Sequence, residues 1–273
     1  MTFDAFFLDG PEPGGRRFCV WHPPVGAARG AVLHVHAFAE EMNKSRRMAA
    51  LQARALAARG FGVLQIDLLG CGDSSGDFAD ATWAAWTHDV VSGAAWLRRR
   101  AGGPLWLWGV RAGCLLADAA ARRIDGPLNL LFWQPATSGK VALQQFLRLK
   151  AASEMLDGDA KGVMNALRGR LAAGAAVEIA GYMLPAALAE ALELATLRPP
   201  SNARRAVWLE VSSRADATLS PASTTAVARW QEAGVAVQAA VVAGPAFWQS
   251  TEIEVAPALI DAGCDALAEA LTV

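Results

Sequence analysis

The sequence predicts an α/β protein built on one mostly parallel, eight-stranded sheet with helices on both faces. Three observations carry this. Short apolar runs alternate with stretches of helical periodicity along most of the chain. The apolar runs are hydrophobic throughout rather than on every second residue, as strands covered on both faces must be. Finally, the chain opens with two strands joined by the turn-rich GPEPGG segment, an antiparallel start to a series of βα units.

In chain order, strands are expected at 3–8, 16–22 and 31–38, the last reading AVLHVHAF. A helix follows over 43–59, where Met48, Leu51, Ala55 and Leu56 recur at helical spacing and Gly60 ends the run. GVLQIDL (62–68) is a buried strand, followed by the loop GCGDSSGDF and a tryptophan-rich helix over 82–100. PLWLWG (104–109), a helix over 112–123 and LNLLFW (128–133) continue the alternation. After a break, strands at 207–213 and 235–244 flank a helix over 221–233, and a helix over 257–271 closes the pattern. The break, 134–200, shows no strand pattern and carries helical stretches at 140–156, 160–173 and 186–197. It reads as a helical cap insertion, with 1–133 and 201–273 forming the core. Two readings stay open for it: a cap that covers the active-site end of the sheet and sets substrate choice, or a helical decoration used for dimerisation.

With 273 residues and 53% apolar content, the chain can bury one full core. A formal charge of -1 leaves no electrostatic footprint for nucleic acid or an anionic membrane. Cys19, Cys71, Cys114 and Cys264 are widely separated, without metal-ligand spacing, and suit reduced thiols. No metal or other cofactor is expected. The start MTFDAFFLDG lacks a basic leader, and no apolar run is long enough to span a bilayer, so a cytoplasmic setting is expected.

The segment with most chemical content is WLWGVRAGCLLA. Gly109, Val110, Arg111, Ala112 and Gly113 have the spacing of G-x-S-x-G between a buried strand and a helix. That is the nucleophile elbow of the α/β-hydrolase fold, in which small residues let the strand turn sharply and the central side chain projects over the sheet edge. The central residue here is Arg111, whose guanidinium stays protonated and cannot attack a carbonyl. Asp216, after the strand at 207–213, matches the acid of a triad. Ala246 stands where the histidine belongs, and the last histidine in the chain is His88. A Ser-His-Asp mechanism is excluded on two counts.

An arginine beside a helix N-terminus is unfavourable by a few tenths to about 1 kcal/mol. A carboxylate or a bound anion must offset it, and Glu40, Glu41 and Asp216 are the candidates. Two readings stay open: a structural plug paired with Glu41, or a receptor for an anionic ligand.

Four stretches, FAEEMNKSRRM (38–48), IDLLGCGDSSGDF (66–78), LWLWGVRAG (105–113) and GPAFWQSTEIE (244–254), resemble the exosortase A system-associated hydrolases of the second type. The resemblance implies the hydrolase fold and a link with exopolysaccharide and protein-sorting gene clusters in bacteria. It implies no particular reaction.

The remaining candidates are weighed on the residues themselves. His34 and His36 lie two apart on a strand and face one side. His36 is either an acid–base group or a hydrogen-bonded loop histidine. Glu40 and Glu41 are general-base candidates or simple N-terminal helix charges. Cys71, Ser74 and Ser75 read as a structural turn. Phe38 and Trp248 are candidates to line a ligand site, and Phe247 and Trp248, with Trp106, Trp108 and Trp133, read either as the lining of an apolar pocket or as core. The functions compatible with this set are two. One is a catalytically silent hydrolase fold binding an anionic small molecule or a component of the polysaccharide or sorting machinery. The other is an atypical enzyme in which Arg111 anchors substrate and Glu41 or Asp216 moves protons.

Overall fold

The computed structural model describes residues 2–153 and 160–270. Its strands are β1 (Asp4–Asp9), β2 (Arg16–His22), β3 (Gly30–Val35), β4 (Phe61–Ile66), β5 (Leu105–Val110), β6 (Leu128–Trp133), β7 (Val177–Ile179), β8 (Tyr182–Leu184), β9 (Ala203–Ser212) and β10 (Ala236–Ala243). The helices are α1 (Glu40–Ala58), α2 (Trp83–Arg100), α3 (Gly113–Ala121), α4 (Gly139–Ser153), α5 (Ala160–Ala172), α6 (Ala186–Leu194), α7 (Pro221–Glu232) and α8 (Pro257–Glu269).

Eight strands form one sheet in the order β1-β2-β4-β3-β5-β6-β9-β10. The pairs from β4 to β10 are parallel, while β2 runs antiparallel to both β1 and β4. Every residue of β3 and β5 is buried, because both lie mid-sheet with helices on each side. β10 alternates half-buried and exposed residues, as an edge strand does.

The two faces are distinct cores. On one, α1 contributes Met48, Ala53 and Leu56 and α8 contributes Leu259 and Leu267 against Trp106, Trp108 and Trp133. On the other, α2, α3 and α7 place Val90, Leu97, Leu115 and Trp230 against Leu33, Leu107, Phe132 and Trp208. Trp106, Trp108 and Trp133 are fully buried, so the core reading of these aromatics is the one the packing gives.

Most element expectations differ from the structure by one to four residues at the ends. The strand expected at 31–38 ends earlier, at Val35. Ala37 to Ala39 instead turn the chain, Ala39 at φ 50°, so that α1 begins at Glu40 rather than near Asn43. Residues 154–156 of the helix expected at 140–156, and residue 271 of the final helix, lie outside the described residues.

The segment between β6 and β9 needs a correction. It contains α4, α5 and α6, but also an antiparallel pair, β7 with β8, turned at Ala180 and Gly181 in the left-handed region. Three-residue strands are too short to show periodicity, which is why no strand was expected there.

Candidate functional site

The elbow is set by close backbone approaches. A Cβ on Gly109 would lie 2.6 Å from Cys114 Cα, and one on Gly113 would meet the backbone oxygens of His36 and Val35. Between them Arg111 sits at φ 55°, a region that non-glycine residues rarely enter. Its backbone is held there on three sides. Its N–H donates to Trp133 O at 3.0 Å, and its carbonyl accepts from Cys114 N and Ala136 N, each at 3.2 Å.

The Arg111 side chain is only 15% exposed. Nε donates to Glu41 Oε1 at 3.2 Å, Nη2 to Gln145 Oε1 at 3.0 Å and Nη1 to Gln134 O at 3.4 Å. The guanidinium carbon lies 5.2 Å from the centre of the Trp248 ring, a cation–π distance. The carboxylate needed beside the N-terminus of α3 therefore comes from the first turn of α1, where a negative charge also complements that helix. Only Nε meets a charge; the Nη atoms meet neutral oxygens.

Around this centre lies a cavity of about 260 Å³. Phe38 comes from the turn before α1, Glu40, Glu41 and Lys44 from the start of α1, Arg111 from the elbow, Gln145 and Phe146 from α4, and Gln249 from the loop after β10. Lys44 Nζ donates to Gln249 O at 3.4 Å and so closes the ring on that side. The segment between β6 and β9 thus contributes directly to the walls.

Burial pushes the Glu40 carboxyl up to about 7, with Glu41 adding to the rise and Lys44 and Arg111 opposing it. Its Oε2 has no hydrogen-bond partner among the described residues. Burial also raises Glu41, and the charge and hydrogen bond of Arg111 hold part of that rise back.

A raised carboxyl stabilises the fold fully below its unfolded value of 4.5, and that contribution is lost as pH rises through about 7. Glu40→Gln is therefore expected to match wild type at pH 4.5 and to exceed it at pH 8. Solvent screening at this half-buried group reduces the gain to roughly 1 kcal/mol, or ~2–4 °C in Tm. Thermal unfolding of both proteins between those pH values checks this, and a pH-independent difference would refute it.

The other expected site residues divide sharply. Phe38 lines the cavity, and Trp248 lies against the guanidinium. Asp216 does not join them. It is 79% exposed and pairs with Arg214 at 3.4 Å in the turn after β9, too solvated to serve as a triad acid for the elbow. His36 is also committed elsewhere. Its Nδ1 donates to Ala37 O at 2.8 Å, and its Nε2 accepts from Leu68 N at 3.4 Å, an assignment that follows from the carbonyl partner. It is the hydrogen-bonded loop histidine of the two readings. Ala246 packs half-buried against the α1 and α8 core.

Four contributors were not expected: Gln134, Gln145, Lys44 and Gln249. Lys44 belongs to the basic run NKSRR at the start of α1, a pattern that suits a solvated face or intramolecular pairing as well as a site. The glutamines carry no local signal, since what matters is where a distant segment folds back. A fifth unexpected residue is Glu210, buried on β9, which accepts from Ser220 N and Oγ at 2.7 Å and from Ser223 Oγ. It holds the start of α7 and is a structural carboxylate; a lone acid inside VWLEVS was its signal.

The Cys71 thiol and the serines of the 69–77 loop, and the Cys114 thiol of α3, are structural. Ser74 Oγ donates to Asp67 O and accepts from Phe18 N, and burial pushes the Cys71 and Cys114 thiols up, away from the nucleophilic form. Among the described residues no group of His, Cys, Asp and Glu could hold a metal ion, and no helix is long and apolar enough to cross a membrane.

Comparison with known proteins agrees with the overall fold. Residues 17–144, from β2 into α4, match X-Pro dipeptidyl-peptidase (S15 family). No curated protein matches. Among solved structures, Est1E from Butyrivibrio proteoclasticus with ferulic acid bound superposes with a TM-score of 0.64 at 15% identity, covering 98% of this chain and 100% of that one. A putative hydrolase from Agrobacterium vitis gives 0.65 at 15% identity over 99% of each chain. A proline iminopeptidase-related protein from Thermus thermophilus gives 0.62 at 18% identity, over 100% of this chain and 99% of that one. The eight-stranded sheet, the elbow after β5 and these superpositions lead to one conclusion: the chain has the α/β-hydrolase fold.

Proposed function

We propose that the protein binds an anionic ligand at the elbow and does not hydrolyse esters through a serine nucleophile. The observation that carries this reading is Arg111 at the elbow apex, at φ 55°, with its guanidinium facing a cavity of about 260 Å³. The Nη edge meets only neutral oxygens, from Gln134 and Gln145. An anionic oxygen would displace them with a charge-assisted bond, typically about twice as strong. Lys44 supplies a second cation on the wall of the same cavity.

The resemblance of four stretches to the exosortase-associated hydrolases supports an acidic saccharide, or another component of a polysaccharide or sorting system, as the ligand. In this reading the protein works in the cytoplasm, and 134–200 acts as a cap that selects the ligand. A second reading is favoured by one observation, the Glu40 carboxyl at about 7 beside Arg111. A carboxylate poised there suits general acid–base work on an anchored anion, with Glu40 and Glu41 in the role that Asp216 is too distant in environment to fill.

Two measurements test the proposal. A fluorophosphonate probe is expected to label no serine, and covalent labelling would overturn the non-hydrolytic reading. Glucuronate and glucose 1-phosphate are expected to raise the Tm of wild type, with Arg111→Met unresponsive and glucose inert. Equal responses from both proteins would remove Arg111 from the binding site. Turnover of either anion by wild type, lost in Glu40→Gln, would select the second reading.

A further inference from the structure

A second cavity, of about 280 Å³, lies between α1 and the β2–β4–β3 part of the sheet, and it shares no lining residue with the elbow cavity. We propose that it is a binding site for a small apolar carboxylate, with the hydrocarbon body against β2 and α1 and the carboxylate at Arg54.

The cavity exists because of how β2 meets α1. Phe18, Val20 and His22 alternate along β2 and face the same side of the sheet as α1. α1 lies chiefly over β4, leaving Phe18 and Val20 half-buried rather than packed. Across the gap, α1 presents Met42 and Ala49. A small side chain at Ala49 leaves the space open. Together with Phe3, Ala50 and Ile66, these residues make the apolar walls.

The inner surface is polar and incompletely satisfied. His22 Nε2 and Gln65 Oε1 are paired at 3.0 Å, which leaves the Gln65 amide N–H groups to other acceptors. His34 is 6% exposed and its ring packs 4.4 Å from that of Trp108, yet its Nε2 has no hydrogen-bond partner among the described residues. Ser45 Oγ is likewise buried and unpartnered. Unpaired buried polar atoms are costly to leave unmet, so a cavity lined by several of them is arranged for a polar group from outside. Burial holds His22 and His34 below the usual imidazole range, and the lining carboxylate, Asp67, has its charge met by Arg46.

The charge comes from the mouth. Arg46 is already engaged with Asp67 at 3.1 Å. Arg54, two turns further along α1, is exposed and has no carboxylate partner among the described residues. It is close enough to His22 for its charge to act on that ring. An unpaired guanidinium above apolar walls and neutral donors selects an anion with a hydrocarbon body, because a purely polar anion would gain nothing from Phe18, Val20 and Met42. The volume lies just below the range of about 300–1,000 Å³ that holds drug-sized ligands, so the ligand is small.

Octanoate is the probe, with octanamide as its neutral analogue, and binding is read by calorimetry and by the histidine ring resonances. Octanoate is expected to bind wild type and to shift the His22 and His34 resonances. Arg54→Gln, at an exposed position that leaves the fold intact, is expected to weaken it at least tenfold. Ala50→Phe, which fills the cavity from a half-buried position, is expected to abolish binding. Octanamide is expected to bind wild type no better than octanoate binds Arg54→Gln. Arg111→Met separates this site from the elbow: octanoate affinity is expected to be unchanged in that variant. The proposal is overturned if octanoate gives no saturable binding, if both cavity variants bind it as wild type does, or if Arg111→Met alone removes it.

Discussion

Gly113→Ala is expected to be the most damaging single-methyl change in the elbow, lowering stability by about 3 kcal/mol or more in urea unfolding. The added Cβ would meet the carbonyl oxygen of His36 and lie 2.6 Å from that of Val35. Val35 ends β3, which is buried along its whole length and paired on both sides, and His36 is the buried residue that follows it. A flexible side chain could swing away, but this backbone moves only by breaking the sheet. The contrast is Gly169→Ala on α5, where a Cβ meets nothing within 4 Å. There the change is expected to be neutral or to stabilise by up to ~1 kcal/mol, since alanine is the better helix former. Equal effects from the two substitutions would mean that the elbow does not depend on this close approach.

Arg111→Met is expected to destabilise by about 1–2 kcal/mol at pH 8 and by clearly less at pH 5. Hydrogen bonds to charged groups contribute about 1.5–3 kcal/mol, and partial exposure of the pair reduces that. The loss arises less from the contact itself than from Glu41, 20% exposed, which keeps a charge without its counter-ion. With Arg111 gone, the Glu41 carboxyl rises further, because the group that opposed its burial is missing. The raised carboxyl is harmless while protonated, so the penalty grows as pH rises. Adding Glu41→Gln should then recover most of the loss at pH 8, a non-additivity that marks a direct pair. Strictly additive losses would show that the pair contributes nothing to stability.

What could be read from the residues followed their range of action. The buried strands were legible because both-faced burial leaves continuous apolar runs, as in LWLWGV of β5. The elbow was legible because its demand for small residues is local. The pairing of Arg111 with Glu41 was foreseeable from topology, since the loop after β3 borders the elbow in this arrangement. Gln145 was not, because α4 reaches Arg111 only through tertiary packing of the segment between β6 and β9. Asp216 illustrates the opposite failure: its place in chain order was right for an acid, but the turn after β9 leaves it in solvent with Arg214. His36 could not be resolved without its two backbone partners, and β7 and β8 were too short for any periodic signal.

The geometry of residue 111 has a further consequence for how such a scaffold diversifies. The strained apex is specified by its neighbours, through the glycines at 109 and 113 and the bonds to Trp133, Cys114 and Ala136, and not by the apex side chain. Chemistry and architecture are therefore written in separate positions. A change of side chain at 111 leaves these glycine contacts and backbone bonds in place. The fold behaves as a chassis with an interchangeable tip, and its shape alone records nothing about which tip is fitted.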